Sequence, residues 1–246
     1  MQINELTFVN SPDLFRKMPG QTIAYWCSER MVEAINKGTE LSDIYELDCG
    51  IKTGNNDIFL RFWHEVSLEK ISYKNTSLQE VKDGSKKWFK CNKGGGYAKW
   101  YGGAIYVIDL ENNASNIKRT ISKDTYRLRN ENNYFSKGIM WTLTGDVRFS
   151  ARLIPEGTLI DIATNAIYMK EVDFVLLAYL NSCVNNNFMI MINPTVSYTI
   201  DSLGKVKYYN CSNNDVVVLS QNSVRTTKED WDSFETSWDF KKHPLI

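Results

Sequence analysis

Residues 171–192 form the clearest long helix in this chain, and that one stretch does most to settle the fold class. Its apolar positions include Phe174, Leu177, Tyr179, Leu180, Phe188 and Met191. Pro194 sets its limit, because the residue before a proline avoids the helical region. The apolar run inside it, 174–192, is broken by Asn181, Ser182 and Asn185-Asn186-Asn187. That is too polar for a membrane span, so no membrane is expected as a partner. Elsewhere the apolar residues come in short runs rich in β-branched and aromatic side chains: 58–62, 104–110, 139–143, 158–163 and 166–169, with later runs at 206–209 and 216–219. Smaller helices are expected over 28–37, capped by Ser28 and ended by Gly38, and over 114–122. The fold expected is therefore mixed α+β, a mostly antiparallel sheet of short strands with helices packed on it. At 246 residues and 43% hydrophobic, the chain can bury a full core. Residues 1–24, broken by Pro12, Pro19 and Gly20, read as a polar lead-in, 25–210 as the domain, and 211–246 as a connector.

Several chemistries lack their residues. The cysteines are Cys27, Cys49, Cys91, Cys183 and Cys211, an odd number with no C-x-x-C pair. This suits free thiols in a reducing cytoplasm. The first ten residues do not read as a signal peptide, having neither a basic start nor an apolar stretch. His64 and His243 are the only histidines, and no zinc spacing includes them. Glu80-Val81-Lys82 and Asp239-Phe240-Lys241 give acid-x-Lys, but a metal-dependent nuclease needs more carboxylates around them, so both read as solvated charge pairs.

Three blocks point elsewhere: GIKTGNNDIFLRFWHEV (50–66), KWFKCNKGGGYAKWYGG (87–103) and RNENNYFSKGIMWTLTGDVRFSAR (129–152). Each mixes glycines, side-chain amides, cations and aromatics. A duplex-facing surface uses all four: cations for phosphates, amides for base edges, aromatics for packing and glycines for close backbone approach. Charge follows the same region. Residues 52–152 hold 18 Lys/Arg against 10 Asp/Glu, a net of +8, and each flank carries −4. A basic middle between acidic ends suits a polyanion. Double-stranded DNA is the expected partner, with Lys52, Thr53, Asn55, Asn56, Arg61, Lys93, Lys99, Arg148 and Arg152 as candidate contacts. An Asx-turn holding loop shape competes with base reading for Asn55 and Asn56. Trp63, Trp88, Trp100, Trp141 and Tyr198 read as scaffold. Gly94-Gly95-Gly96 reads as a close-approach turn or a plain hairpin turn, since it lacks a phosphate-loop ending and follows Asn92-Lys93 rather than a buried strand.

These blocks, with IAYWCSER (23–30), INPTVSYTIDSLGKV (192–206) and EDWDSFETSWDFKKHPLI (229–246), resemble the C-terminal part of the PglX-like adenine-specific DNA methyltransferases of BREX phage-defence systems. The last stretch is the most specific of them. The TG-N-N block and the NPT helix end also resemble the specificity domains of TaqI-like methyltransferases. Two positions depart from the pattern: Ala98 fills a slot that is often basic or bulky, and Ile200-Asp201-Ser202-Leu203 stands where the family has Gly-Asp-Ile. The resemblance implies a target-recognition domain in an enzyme that flips an adenine into a separate catalytic pocket. It also implies S-adenosylmethionine on that absent domain and no cofactor in this chain. The Asp/Asn-Pro-Pro-aromatic motif of such enzymes is absent, and Asn193-Pro194-Thr195-Val196 reads as a helix terminator. Further partners implied are the catalytic domain of the parent enzyme and other defence-system proteins. The alternative is a docking module, using the acidic aromatic run from Trp231 to Trp238.

Overall fold

A computed structural model describes residues 11–16, 18, 22–73, 76–145, 148–209, 213–243 and 245. In chain order the elements are α1 (Pro12–Arg16), α2 (Glu29–Lys37), β1 (Thr39–Glu40), α3 (Leu41–Ile44), β2 (Leu47–Cys49), α4 (Asn56–Phe59), β3 (Leu60–Phe62), β4 (Ile71–Ser72), α5 (Leu78–Asp83), β5 (Trp88–Asn92) and β6 (Tyr106–Asp109). They continue with α6 (Glu111–Thr120), β7 (Gly138–Thr142), β8 (Ala151–Ile154), β9 (Leu159–Ile160), β10 (Thr164–Tyr168), α7 (Phe174–Leu180), α8 (Cys183–Ile192), α9 (Ile200–Gly204), β11 (Lys207–Tyr208) and α10 (Asn214–Trp231).

The architecture is α+β, as the patterning requires. One sheet is antiparallel throughout, in the order β2-β10-β7-β8. The other runs β3-β6-β5-β4, with β9 added parallel to β5. A two-stranded ribbon joins β1 to β11. Each large sheet has its own core. Ile139, Trp141, Ala151 and Ile167 meet Leu176, Leu177, Leu180 and Phe188 from α7 and α8. Phe89 and Ile108 meet Phe59, Ile117 and Phe135 in the other. Strand alternation lets β9 serve both layers. Leu159 enters the second core, and its neighbour Ile160 packs with Met140, Ile154 and Ala166 behind the first sheet. That two-residue strand fixes the sheets edge to edge.

The expected helix over 171–192 is two helices, bent by 62° between Leu180 and Cys183. The polar interruption that argued against a membrane span is the joint. Ser182 caps α8 through its Oγ, which accepts from Asn185 N, while Asn181 turns into the sheet. Among the described residues no single helix is long and apolar enough to cross a membrane. The strand expected at 216–219 is the first half of α10. Asn213 caps it through Asp215 N, and packing of Val216, Val217 and Val224 on the first core outweighs the β preference of a valine run. The expected strand at 58–62 begins as α4, leaving only Leu60–Phe62 extended. The helices expected over 28–37 and 114–122 appear as α2 and α6, with Ser28 capping α2 through Met31 N.

The last segment wraps back over the second sheet. Trp238 lies 5.2 Å from Trp63, centroid to centroid, its Nε1 donates to Ala104 O, and the Lys90 ammonium sits 5.1 Å over its ring. Trp63 Nε1 donates to Thr236 O at 3.0 Å. Trp231 rests on Gly102, whose φ of +107° and missing Cβ leave room for the indole.

Candidate nucleic-acid interface

The carboxyl ends of β2, β5, β7 and β9 open at one edge, where the two sheets meet. Backbone bonds tie the loops leaving them. Ile51 N donates to Ile160 O and Ile162 N to Ile51 O, at 2.8 and 2.9 Å. Leu143 N donates to Ala163 O at 2.9 Å, and Tyr198 N to Leu143 O at 2.6 Å. Gly94 N donates to Thr164 Oγ1 at 2.6 Å, with a Cβ position only 2.8 Å from Ala163 O, so this first glycine of the run is needed for close approach. Gly50 is tighter still: a Cβ there would lie 2.2 Å from Asp161 O. The three blocks singled out in the sequence thus converge on one seam, together with the 161–163 turn and the chain at 195–198.

Along that seam Lys52 and Arg148 are exposed, and neither side chain has a partner among the described residues. Antiparallel pairing of Lys52 with Arg127, through bonds of 3.0 and 2.8 Å, brings the exposed Arg129 alongside. Lys93 is half-buried, its ammonium 5.4 Å over the Tyr106 ring. Lys99 donates to Asn181 O at 2.7 Å and sits over Tyr97. Arg61 folds back on its own helix end, donating to Asp57 O and Leu60 O. Its guanidinium is tied to that helix end.

The amides divide. Thr53 is fully buried and its hydroxyl donates to Asn56 Oδ1 at 2.6 Å, while Asn56 Nδ2 donates to the buried Asp161 carboxylate at 3.1 Å. Asn56 is committed inward. Asn55 forms the Asx-turn that starts α4, accepting from Asp57 N at 3.1 Å, and its Nδ2 has no partner among the described residues.

Arg152 departs from its expected surface position. It is 4% exposed, with its guanidinium donating to Gly102 O and Thr142 Oγ1, both at 3.4 Å. The residue alternates inward on β8, and the missing Cβ of Gly103, 2.4 Å from the guanidinium nitrogen, makes the space. Burial lowers its pKa to about 10. Among the described residues no carboxylate lies within ion-pair distance of it.

At the seam's central cavity, an open space of about 450 Å³, sequence reasoning singled out Lys93, Gly94 and Gly95 but missed Tyr106, Thr142 and Thr144. The signal was the alternation in Thr142-Leu143-Thr144, which puts both hydroxyls on one side of a strand end. Asp161, the buried acid that fixes Asn56 and Ala163 N, gave no signal beyond its place between two strand-like runs. The Gly94–Gly96 run does follow a buried strand, β5, contrary to the reading from Asn92-Lys93, although no helix follows it. Trp88 and Trp141 are buried and Trp63 and Trp100 half-buried, and Tyr198 packs edge-on against Phe149 at 5.3 Å. Cys27, Cys49, Cys91 and Cys183 are free thiols, and Cys211 lies outside the described residues. Among the described residues no group of His, Cys, Asp or Glu could hold a metal ion.

Comparison with known proteins finds the chain similar to one region of larger enzymes. It is 35% identical over 98% of its length to an adenine-specific methyltransferase, PglX, of Lacticaseibacillus casei (strain Zhang), covering 21% of that protein. It is 32% identical over 94% of its length to the adenine-specific methyltransferase BrxX of Escherichia coli O9:H4 (strain HS), covering 18% of it. The chain therefore corresponds to a partial region, about a fifth, of these methyltransferases. A solved structure of the Type IIL restriction-modification enzyme MmeI in complex with DNA aligns with 80% of the chain and 29% of its own, at a TM-score of 0.43 and 9% identity. No protein-family model matches the chain.

Proposed function

We propose that this chain is the duplex-recognition module of an adenine-specific DNA methyltransferase of the phage-defence and restriction–modification class. One observation carries the reading. Loops from both sheets converge on a single edge that presents Lys52, Arg148, Lys93 and the backbone N–H groups of Gly95 and Gly96, which donate to none of the described residues, and among the described residues no carboxylate borders its central cavity. Such a surface neutralises phosphates and approaches a backbone closely. The relation to adenine-specific methyltransferases supplies the enzyme class. Methyl transfer from S-adenosylmethionine belongs to the rest of the parent protein. Gly94–Gly96, a glycine run that follows a strand, opens no helix and so does not fit an adenosyl cofactor cradle. The parent's catalytic domain is then a partner, and other defence-system proteins can join it.

The test is fluorescence anisotropy of this chain with random-sequence duplex DNA across a salt series. The logarithm of the binding constant should fall linearly with the logarithm of salt, by about 0.9 per phosphate contacted. Absence of binding at low salt would refute the reading. The docking alternative draws on Trp231 and Trp238, and these already pack within the chain, on Gly102 of the β5–β6 loop and on Trp63 respectively.

A further inference from the structure

We infer that the cavity between Lys93, Gly95 and Thr142 seats one phosphodiester group of a nucleic-acid backbone. The inference rests on the duplex-recognition reading and gives it a specific contact. Four features converge there. The Lys93 ammonium is held at the cavity by the Tyr106 ring and has no carboxylate partner among the described residues. The N–H groups of Gly95 and Gly96 donate to none of the described residues, and both residues are exposed, with nothing within 4 Å of where a Cβ would stand. Thr142 Oγ1 accepts from Arg152, which leaves its own proton free to be donated. Thr144 adds a second hydroxyl at the rim.

Among the described residues, three groups that would repel an anion are already engaged. Ala163 O accepts from Leu143 N, and Leu143 O from Tyr198 N. The Asp161 carboxylate is buried and bound to Asn56 Nδ2 and Ala163 N. Behind Thr142 stands the Arg152 guanidinium, a buried cation with no counter-charge among the described residues. Such a charge is costly unless an anion approaches it. Its field at the cavity is positive and little screened, because the intervening medium is protein rather than water. At about 450 Å³ the cavity has room for a phosphate with its flanking sugars.

The experiment compares the wild-type chain with Lys93→Gln, Gly95→Asp and the double variant, in random-sequence duplex titrations over a salt series. Gly95→Asp adds a carboxylate at a position with open space and an ordinary φ, so folding is left intact. Lys37→Gln, on the exposed face of α2, is the control. Lys93→Gln is expected to reduce the salt slope by about 0.9, Gly95→Asp to weaken binding with a similar loss, and the double variant to lose no more slope than either alone, since all three act on one phosphate. Salt-dependent wild-type binding with both single variants unchanged would overturn the phosphate seat and leave duplex recognition standing. Strictly additive losses would also overturn it, as two separate contacts. No wild-type binding at any salt would overturn both readings.

Discussion

The side chain of Asn181 pairs with both backbone groups of Ala151: its Nδ2 donates to Ala151 O, and Ala151 N donates to its Oδ1, each at 3.0 Å. Ala151 begins β8, the edge strand of the first sheet. Its outward N–H would otherwise have no acceptor among the described residues, and its C=O would keep only the bond from Trp100 N. One amide at the bend between α7 and α8 thus closes a sheet edge in the way another strand would. Asn181→Leu leaves Ala151 N unpaired in a buried site, while Ala151 O keeps its bond from Trp100 N. The expected loss is about 1–3 kcal/mol of unfolding free energy, measured by urea denaturation. Asn181→Asp should lose as much or more, because a carboxylate cannot donate to Ala151 O.

The three consecutive glycines should respond differently to alanine. At Gly94 a Cβ lies 2.8 Å from Ala163 O, and at Gly95 and Gly96 it meets nothing. Gly94→Ala is expected to cost about 1–3 kcal/mol through forced backbone movement. Gly95→Ala and Gly96→Ala should be neutral or stabilise by about 0.4–1 kcal/mol, by restricting the unfolded chain. Gly50→Ala, with its 2.2 Å contact to Asp161 O, should be the most damaging of the four. Denaturation midpoints of the four variants decide the order.

The terminal wrap carries an acid-sensitive tie. Lys228 contacts Asp232 and lies 2.7 Å from Asp239. The hydrogen bond from Lys228 holds the Asp239 carboxyl below its ordinary value. Hydrogen bonds to Asp232 and Asp239 raise the Lys228 ammonium above its own, against the opposing cost of burial. A depressed carboxylate contributes stability above its unfolded pKa and loses it as pH falls through the folded value. A raised ammonium contributes below its unfolded pKa and loses it only at higher pH. The tie therefore holds between about pH 4 and pH 10. The pair is partly exposed, so its worth is under about 1 kcal/mol. The stability difference between the wild-type chain and Asp239→Asn should be present at pH 7 and shrink progressively as pH falls below about 4 in paired thermal melts.

Trp238 is the larger anchor of the same wrap, through Trp63, Lys90 and the Ala104 carbonyl. Trp238→Ala should cost about 2–4 kcal/mol, somewhat less than a fully buried tryptophan. It should also move Trp63 emission to the red as that ring becomes wetter. A stability change without the spectral shift would mean that the wrap holds without Trp238.

The fold class was legible because strand-length apolar runs and helix caps are local signals, as Ser28, Gly38 and Pro194 show. What escaped was decided by tertiary contact. Val216–Val218 favour a strand by propensity, yet the first core needed a helix face there. The bend at Asn181 was visible only as polarity, since its purpose lies 30 residues away at Ala151. For the seam, sequence singled out three blocks that the fold brings together, but it could not sort their cations. Lys52 and Arg148 reach solvent, whereas Arg61, Lys99 and Arg152 have backbone or side-chain partners. Alternation along β8 would have put Arg152 on the same face as Ile154, and the positive charge concealed that.

That sorting gives the DNA prediction its shape. Lys52→Gln and Arg148→Gln remove exposed cations with no partner among the described residues, so each should weaken duplex binding across all sequences and lower the salt slope by about 0.9, with melting temperature unchanged. Arg61→Gln and Lys99→Gln remove cations already bonded to backbone carbonyls, at Leu60 and Asn181, and should change slope little while lowering stability slightly. Arg152→Met should act mainly on folding, in either direction, because it trades an uncompensated buried charge for apolar volume and removes the bonds to Gly102 O, which keeps its donor Asn92 Nδ2, and to Thr142 Oγ1. Anisotropy slopes and melting temperatures on the same five variants separate the two groups. If Arg61 and Lys99 proved to carry the slope while Lys52 and Arg148 did not, the duplex would lie on the β3 side of the molecule rather than along the seam.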